Sequence, residues 1–368
     1  MNIFPRSDLF QKLLLLLFCL ATAAIAQSPS ADETARFLAG MPLEGTSLQN
    51  FAIVPAWGEH ASQMDQAWDE SEQQQLRRVR AWAPGALGTA HTAATPMFYF
   101  FSGPDFLYPH ALFPNAGTYV LCAREPVGSQ PDPARIPPAE LGPALANFRT
   151  ALDSYFKFTF FITKDLRKDI GQKHLSGVLP LLEAMIARTG SRIVEVAPVI
   201  CDRSGAIIFN GSAKGGTSGV CIRFTDAGRR EHRLYYFNAD LSNGGLKSHE
   251  GVLLFCERLG RGQSLLKASS YLTHQGEFTR IRDWLLAHSR TIVQDSSGIP
   301  FLAFDPAAWK FRFWGDQLEP IPLFAQYPQP ELKAALQAAA HPPLPFGFGY
   351  QQLDGATLLI HAQRTGGE

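Results

Sequence analysis

Apolar and polar positions along this chain follow two periods. Over residues 59–83, Ala61, Met64, Trp68, Leu76, Val79 and Ala83 recur at helical spacing, and Pro84-Gly85 marks an end. Similar spacing predicts helices over 139–157, 177–189, 247–259, 278–288 and 330–340. Gly190 and Gly260 terminate the second and third of these. Short β-branched or aromatic runs predict strands at 97–101, 117–123, 192–200, 206–209, 220–225, 233–237, 265–272 and 291–294. Residues 346–351 and 357–362 suggest a terminal hairpin around Asp354-Gly355, and 158–162 fits a strand or a helix.

Strands alternate with helices, and Gly-rich turns add antiparallel strands in the middle of the chain. The pattern predicts an α/β fold: a layered mixed sheet flanked by helices. Residues 27–95 form a helical N-terminal portion, packed on the main domain or covering it as a lid. Residues 96–368 form the main α/β domain. The stretch Met97 to Asp105 parallels Arg233 to Asp240, since each is an aromatic strand ending in a small polar residue and then Asp. An internal β-α-β duplication would explain that likeness.

The first 26 residues change the picture of compartment. Arg6 and Lys12 precede an apolar run at 13–20, and Ala24-Ile25-Ala26 is a small-x-small cleavage site. The run is shorter than the roughly 20 residues of a spanning helix. Residues 1–26 therefore read as a secretory signal peptide, and the mature protein is expected in the periplasm or outside the cell. No membrane span is expected after cleavage.

Charge is balanced, with 33 basic and 33 acidic residues, so no nucleic-acid partner is expected. There are 27 Phe against nine Tyr and six Trp. Most suit an aromatic core, and some suit a cleft for a sugar or another ligand with an apolar face. Export permits disulfides. Cys201 and Cys221 flank two strands joined by a Gly/Ser-rich connection and are the candidate pair. Cys122 and Cys256 read as small buried hydrophobes. No Cys/His spacing predicts a metal site, and no cofactor is expected.

The segments Phe98–Gly128 and Ser269–Pro300 carry Phe-Ser-Gly-Pro-Asp-Phe-Leu-Tyr, Tyr-Val-Leu-Cys-Ala-Arg-Glu-Pro-Val-Gly and Ser-Tyr-Leu-Thr-His. With Pro345-Phe346-Gly347-Phe348-Gly349-Tyr350, they span most of the mature chain. In these pieces the chain resembles an uncharacterised family of exported bacterial proteins. The resemblance implies no activity, cofactor or catalytic residue.

Catalytic motifs give little. Gly211 to Thr217 lacks the order of a phosphate-binding loop, and Gly216-Thr217-Ser218-Gly219 lacks the spacing of a nucleophile elbow. What remains is position. In open α/β sheets, ligands bind outside the carboxyl ends of the strands. Here those ends carry Ser102 and Asp105, then Arg124 and Glu125. Asn238, Asp240, Ser242 and Asn243 follow, and then His274, Asp295 and Ser296.

Two carboxyl groups there would act as general acid and base, or Ser102 with His274 and a carboxylate as nucleophile, base and orienter. Ser102, Asp105, Asp240 and His274 are the catalytic candidates. Glu125, Asn238, Ser242, Asn243 and Asp295 are the binding candidates. Each also suits a cap or a turn. Two functions follow: an extracytoplasmic binding protein for an unknown ligand, or a hydrolase- or transferase-like enzyme.

Overall fold

The computed structural model describes residues 28–171, 173–316, 319–350 and 357–366. The expected signal peptide and the turn at Asp354-Gly355 lie outside them. Ten strands form one mixed sheet in the order β4-β3-β5-β6-β2-β1-β7-β8-β10-β9. They are β1 (Met97–Phe100), β2 (Thr118–Ala123), β3 (Arg192–Cys201), β4 (Ile207–Phe209) and β5 (Thr217–Thr225). β6 (Glu231–Asn238), β7 (Gly262–Leu266), β8 (Ser289–Gln294), β9 (Trp309–Gly315) and β10 (Leu358–Arg364) complete it.

The five central strands, β6-β2-β1-β7-β8, are all parallel. Strands β3, β4 and β5 add antiparallel pairs on one side, and β9 and β10 on the other. The carboxyl ends of the parallel strands therefore face one rim.

Alternation along β1 explains the layering, because successive side chains leave a strand on opposite faces. Met97 and Tyr99 join a core made with the helices Pro55–Ser71, Arg77–Leu87, Pro138–Phe158 and Leu179–Arg188. Phe98 and Phe100 point the other way, into a core with Leu253, Cys256, Ile281 and Trp284. These last four come from the helices Leu246–Leu259 and Thr279–His288. The result is helix, sheet, helix.

Helices of the N-terminal portion belong to the first face. The helix Ala31–Leu38 starts with a capping box, in which Ser30 and Glu33 satisfy each other's backbone amides. Its Phe37 and Leu38 are buried in the shared core. The Arg188 side chain donates to the Ala39 carbonyl and to Asp65. Residues 28–95 are thus packed on the sheet.

Several expectations are corrected. The helix expected to stop at Pro84 runs to Leu87, because Pro84 is close enough to its end to break few bonds. The strand expected over 265–272 ends at Leu266, where the backbone turns left-handed at Ala268. Residues 358–364 pair with β8 and β9, while the Thr357 hydroxyl accepts from the Phe348 amide and donates to its carbonyl.

The two aromatic strands do not occupy equivalent units. β1 leads to its neighbour β2, whereas β6 leads to β7 across two intervening strands. The helix after β1, Leu107–Leu112, lies on the first face, and the helix after β6 lies on the second.

The Cys201–Cys221 disulfide is also corrected. In the β3–β5 pairing Cys201 stands opposite Thr217, and Cys221 opposite Ala197. Four residues of offset separate the thiols by roughly 13 Å along the strands, well beyond disulfide reach. Cys122, Cys201, Cys221 and Cys256 are all free and buried. Thiol titration of residues 27–368 with an aromatic disulfide reagent should find these four in denaturant and almost none in the folded protein. A linked 201–221 peptide would contradict the pairing register.

Candidate functional site

The first strand in the chain, β1, sits at the centre, with β2 on one side and β7 on the other. The strand order reverses direction here, since the chain moves from β1 to β2 and β6, then returns to β7 and β8. In open α/β sheets such a switch point, at the carboxyl ends of the strands, is where ligands bind. Loops leaving β1, β7 and β8 bring Asp105, Lys267 and Asp295 together at this switch point, where all three are buried.

Lys267 follows β7 directly, and its side chain is fully buried. Its ammonium lies 3.0 Å from the Asp105 carboxylate and 3.4 Å from the centre of the Tyr108 ring. It also donates to the Thr159 carbonyl. Asp105 accepts from the Tyr99 hydroxyl at 3.1 Å, the Tyr155 hydroxyl at 3.0 Å and the Tyr108 amide at 3.3 Å. Burial pushes the lysine below its ordinary value, and Asp105 opposes that shift. Burial pushes both tyrosine hydroxyls up, and the Asp105 charge adds to this. The tyrosines stay neutral and donate.

Asp295, one residue past β8, accepts from the Ser297 hydroxyl at 2.5 Å, the Ser297 amide at 3.0 Å and the Ala268 amide at 3.1 Å. Burial raises its carboxyl above the ordinary range, and these donors oppose the shift. Gly349 closes over it with φ of 73°, where a Cβ would come within 1.8 Å of the carboxylate. Only glycine allows that approach.

Above this buried layer the backbone is strained. Ala268, Ser270 and Tyr271 have φ of 51°, 55° and 53°, and Phe101 after β1 has 63°. Left-handed non-glycine residues cost about 1–3 kcal/mol each and persist only when their surroundings enforce them. Here the enforcement is visible. The Tyr350 hydroxyl donates to the Ala268 carbonyl at 2.9 Å, and it accepts from the Ser270 amide at 3.0 Å. The Ser269 hydroxyl donates to the Ser297 carbonyl at 2.7 Å.

Aromatic rings surround the strained loop. Tyr271 stacks on Tyr327 at 5.3 Å and meets Phe324 at 5.0 Å. Phe324 and Phe160 both contact Tyr350. Half-buried Ser270, His274, Phe324, Tyr327 and Tyr350 form the outer layer.

The expected site residues divide among several places. Asp105 and Asp295 stand in the buried layer. Ser102 is nearly buried and donates to the adjacent Gly103 carbonyl. His274 lies against Tyr271 and Tyr327. Burial lowers its pKa to about 4, although the Gly298 and Ser296 carbonyls favour its charged form. Its Nε2 is buried and has no hydrogen-bond partner by geometry.

The remaining candidates lie at the ends of β2 and β6. Asp240 accepts from the Ser242 amide and faces Arg124 at 3.8 Å. The Ser242 amide chiefly, and Arg124 further, hold its carboxyl below the ordinary range. The Ser242 hydroxyl accepts from the Gly245 amide before the next helix. Asn238 donates to the Glu125 carbonyl at 2.7 Å. Burial raises the Glu125 carboxyl. Asn243 donates to the Gly276 carbonyl and accepts from the Arg280 amide, tying two loops together.

The Asp105 amide donates to the Ser102 carbonyl at 3.4 Å, but among the described residues no side-chain hydrogen bond links Ser102, Asp105, Asp240 and His274 to one another. No three His, Cys, Asp or Glu side chains among them are placed to hold a metal ion. Sequence reasoning missed Lys267, Tyr99, Tyr155, Ser270 and Tyr350. A usable signal was present for one of them: Lys267 interrupts an otherwise apolar strand end, Leu265-Leu266-Lys267-Ala268.

No protein-family model matches this chain, and no curated protein or solved structure matches it.

Proposed function

We propose that the chain is an exported soluble binding protein that works in the periplasm or outside the cell. Its ligand docks on the rim between β1 and β7. The observation that carries this reading is the strained loop 268–271, held over a buried Lys267–Asp105 pair. The strain lies at the switch point, with Tyr271 buried beneath it and Ser270 half-buried beside it, as expected of a preorganised contact surface. The surrounding rings suit a ligand with an apolar face, such as a sugar. The polar groups are spent on framework bonds, so the rim offers contacts more readily than a proton relay.

A hydrolase- or transferase-like activity is the second reading. It rests on His274, whose low pKa leaves a neutral base and whose Nε2 is unpartnered.

The test uses residues 27–368 and a panel of mono- and disaccharides, with binding followed by saturation-transfer NMR. Ser270→Gly removes the strain at the loss of one side-chain hydrogen bond, between the Ser270 and Tyr350 hydroxyls. It should keep or raise stability, by about 1 kcal/mol, and weaken binding about tenfold. Equal affinity in the variant overturns the rim assignment. Turnover of any compound favours the enzyme.

A further inference from the structure

At the opposite end of the sheet a cavity of about 230 Å³ opens where β7 and β8 begin and β10 ends. Arg261, Arg290 and Arg364 line it, with the hydroxyl-bearing Thr89 and Thr291 and the amide of Gln363. No Asp or Glu lines it.

The sheet builds this convergence through an irregularity. Gly262 of β7 pairs with Ser289, but the next residue, Gln263, pairs with Thr291. Arg290 is thus the extra residue of a β-bulge, a device that re-aims a side chain at a sheet's end. Gln363 stands opposite Thr291, so Arg364 continues β10 beside them. Buried Gln263 accepts from the Thr95 hydroxyl at 2.7 Å and donates to the Ala90 carbonyl at 3.3 Å. That fixes the 89–95 turn as the opposite wall.

The three arginines differ in how they are held. Arg364 donates to the Ser289 and Leu286 carbonyls and lies 4.7 Å over the Trp309 ring. Its charge is therefore anchored in place. Burial chiefly, and the nearby Arg261 charge further, lower its pKa. Arg261 and Arg290 are exposed and make no ion pair among the described residues. Gathering like charges without a counter-charge is unfavourable. A guanidinium presents a planar fork of donors that matches phosphate and carboxylate oxygens.

We propose that this recess binds a small oxyanion carrying at least two negative charges, of the phosphate or phosphate-monoester class. The three arginines would neutralise the anion. Thr89, Thr291 and Gln363 would take the remaining oxygens or the group attached to them. The site is separate from the rim and does not depend on what docks there.

Isothermal titration of residues 27–368 with inorganic phosphate, pyrophosphate and glycerol 3-phosphate tests this, with glycerol as the neutral control. Phosphate-bearing probes should bind and glycerol should not. Free phosphate binding as well as glycerol 3-phosphate would assign the site to the bare anion. Tighter binding of the ester would assign it to the organic phosphate. Arg261→Ala and Arg290→Ala should each weaken binding about tenfold, the loss of one charge-assisted contact. The double variant should abolish it. Arg290→Lys, which keeps the charge and loses the fork, should recover only part.

Both substituted side chains are exposed, so melting temperatures should match the unsubstituted protein and separate lost binding from lost folding. No heat with any phosphate probe at millimolar concentration overturns the proposal. So does wild-type affinity in the double variant.

Discussion

Asp105→Asn is expected to destabilise the folded protein by about 3–5 kcal/mol, the usual cost of leaving a buried charge without its partner. The Lys267 ammonium would keep only the Thr159 carbonyl and the Tyr108 ring. Lys267→Met should cost a similar amount, because the buried Asp105 carboxylate would lose its counter-charge and keep only two tyrosine hydroxyls and one amide. Together the two changes remove both charges and leave no unpaired charge. The double variant should therefore be more stable than the sum of single losses by at least about 2 kcal/mol. Urea unfolding of the four proteins measures this coupling. Strictly additive losses would mean that the ion pair is not the interaction that matters at the switch point.

A second large effect is expected away from the rim. Glu183, in the helix Leu179–Arg188, is fully buried. Its Oε1 accepts from Gln130 at 2.7 Å, and its Oε2 has no partner. Burial raises its pKa from 4.5 to about 8, with Gln130 opposing. The folded protein therefore holds a neutral carboxyl at pH 7, while the unfolded chain ionises it.

Its contribution is full below pH 4.5 and declines as pH rises toward 8. At about 1.4 kcal/mol per pH unit, the decline reaches about 3 kcal/mol by pH 7. Glu183→Gln keeps the shape and cannot ionise. It should match the unsubstituted protein near pH 4 and exceed it by about 3 kcal/mol at pH 7. Denaturant titrations at the two pH values check this, and an equal difference at both would contradict the buried, neutral state.

The parallel centre was legible because its signal is local. The run Met97–Phe100 is apolar throughout and buried on both faces, and its polar successors mark a strand end. The same reasoning placed Asp105 and Asp295 at a common rim. It failed where tertiary pairing decides.

No strand is expected over 309–315, where β9 lies, because nothing local names β10 as its partner. Lys267 carries a residue type expected at a surface, and Asp105, Tyr108 and Thr159, all far away in sequence, make its burial tolerable. The Ala-Ser-Ser-Tyr run after β7 gives no sign of positive φ, since that conformation is imposed by Tyr350 and Ser297. Cys201 and Cys221 looked like partners because a hairpin was visible and its register was not.

The position of β1 also bears on the order of assembly. Met97 lies beside Tyr119 on one side and Gln263 on the other. The first strand to be synthesised gains its second neighbour only after most of the chain has appeared. Pairings so distant in sequence slow folding, because a long loop must close before any contact rewards it. Until residues 262–266 arrive, Met-Phe-Tyr-Phe presents an open, apolar strand edge of the kind that invites intermolecular pairing. Truncated products ending before β7 should therefore aggregate, while the complete chain protects its most adhesive strand by placing it innermost.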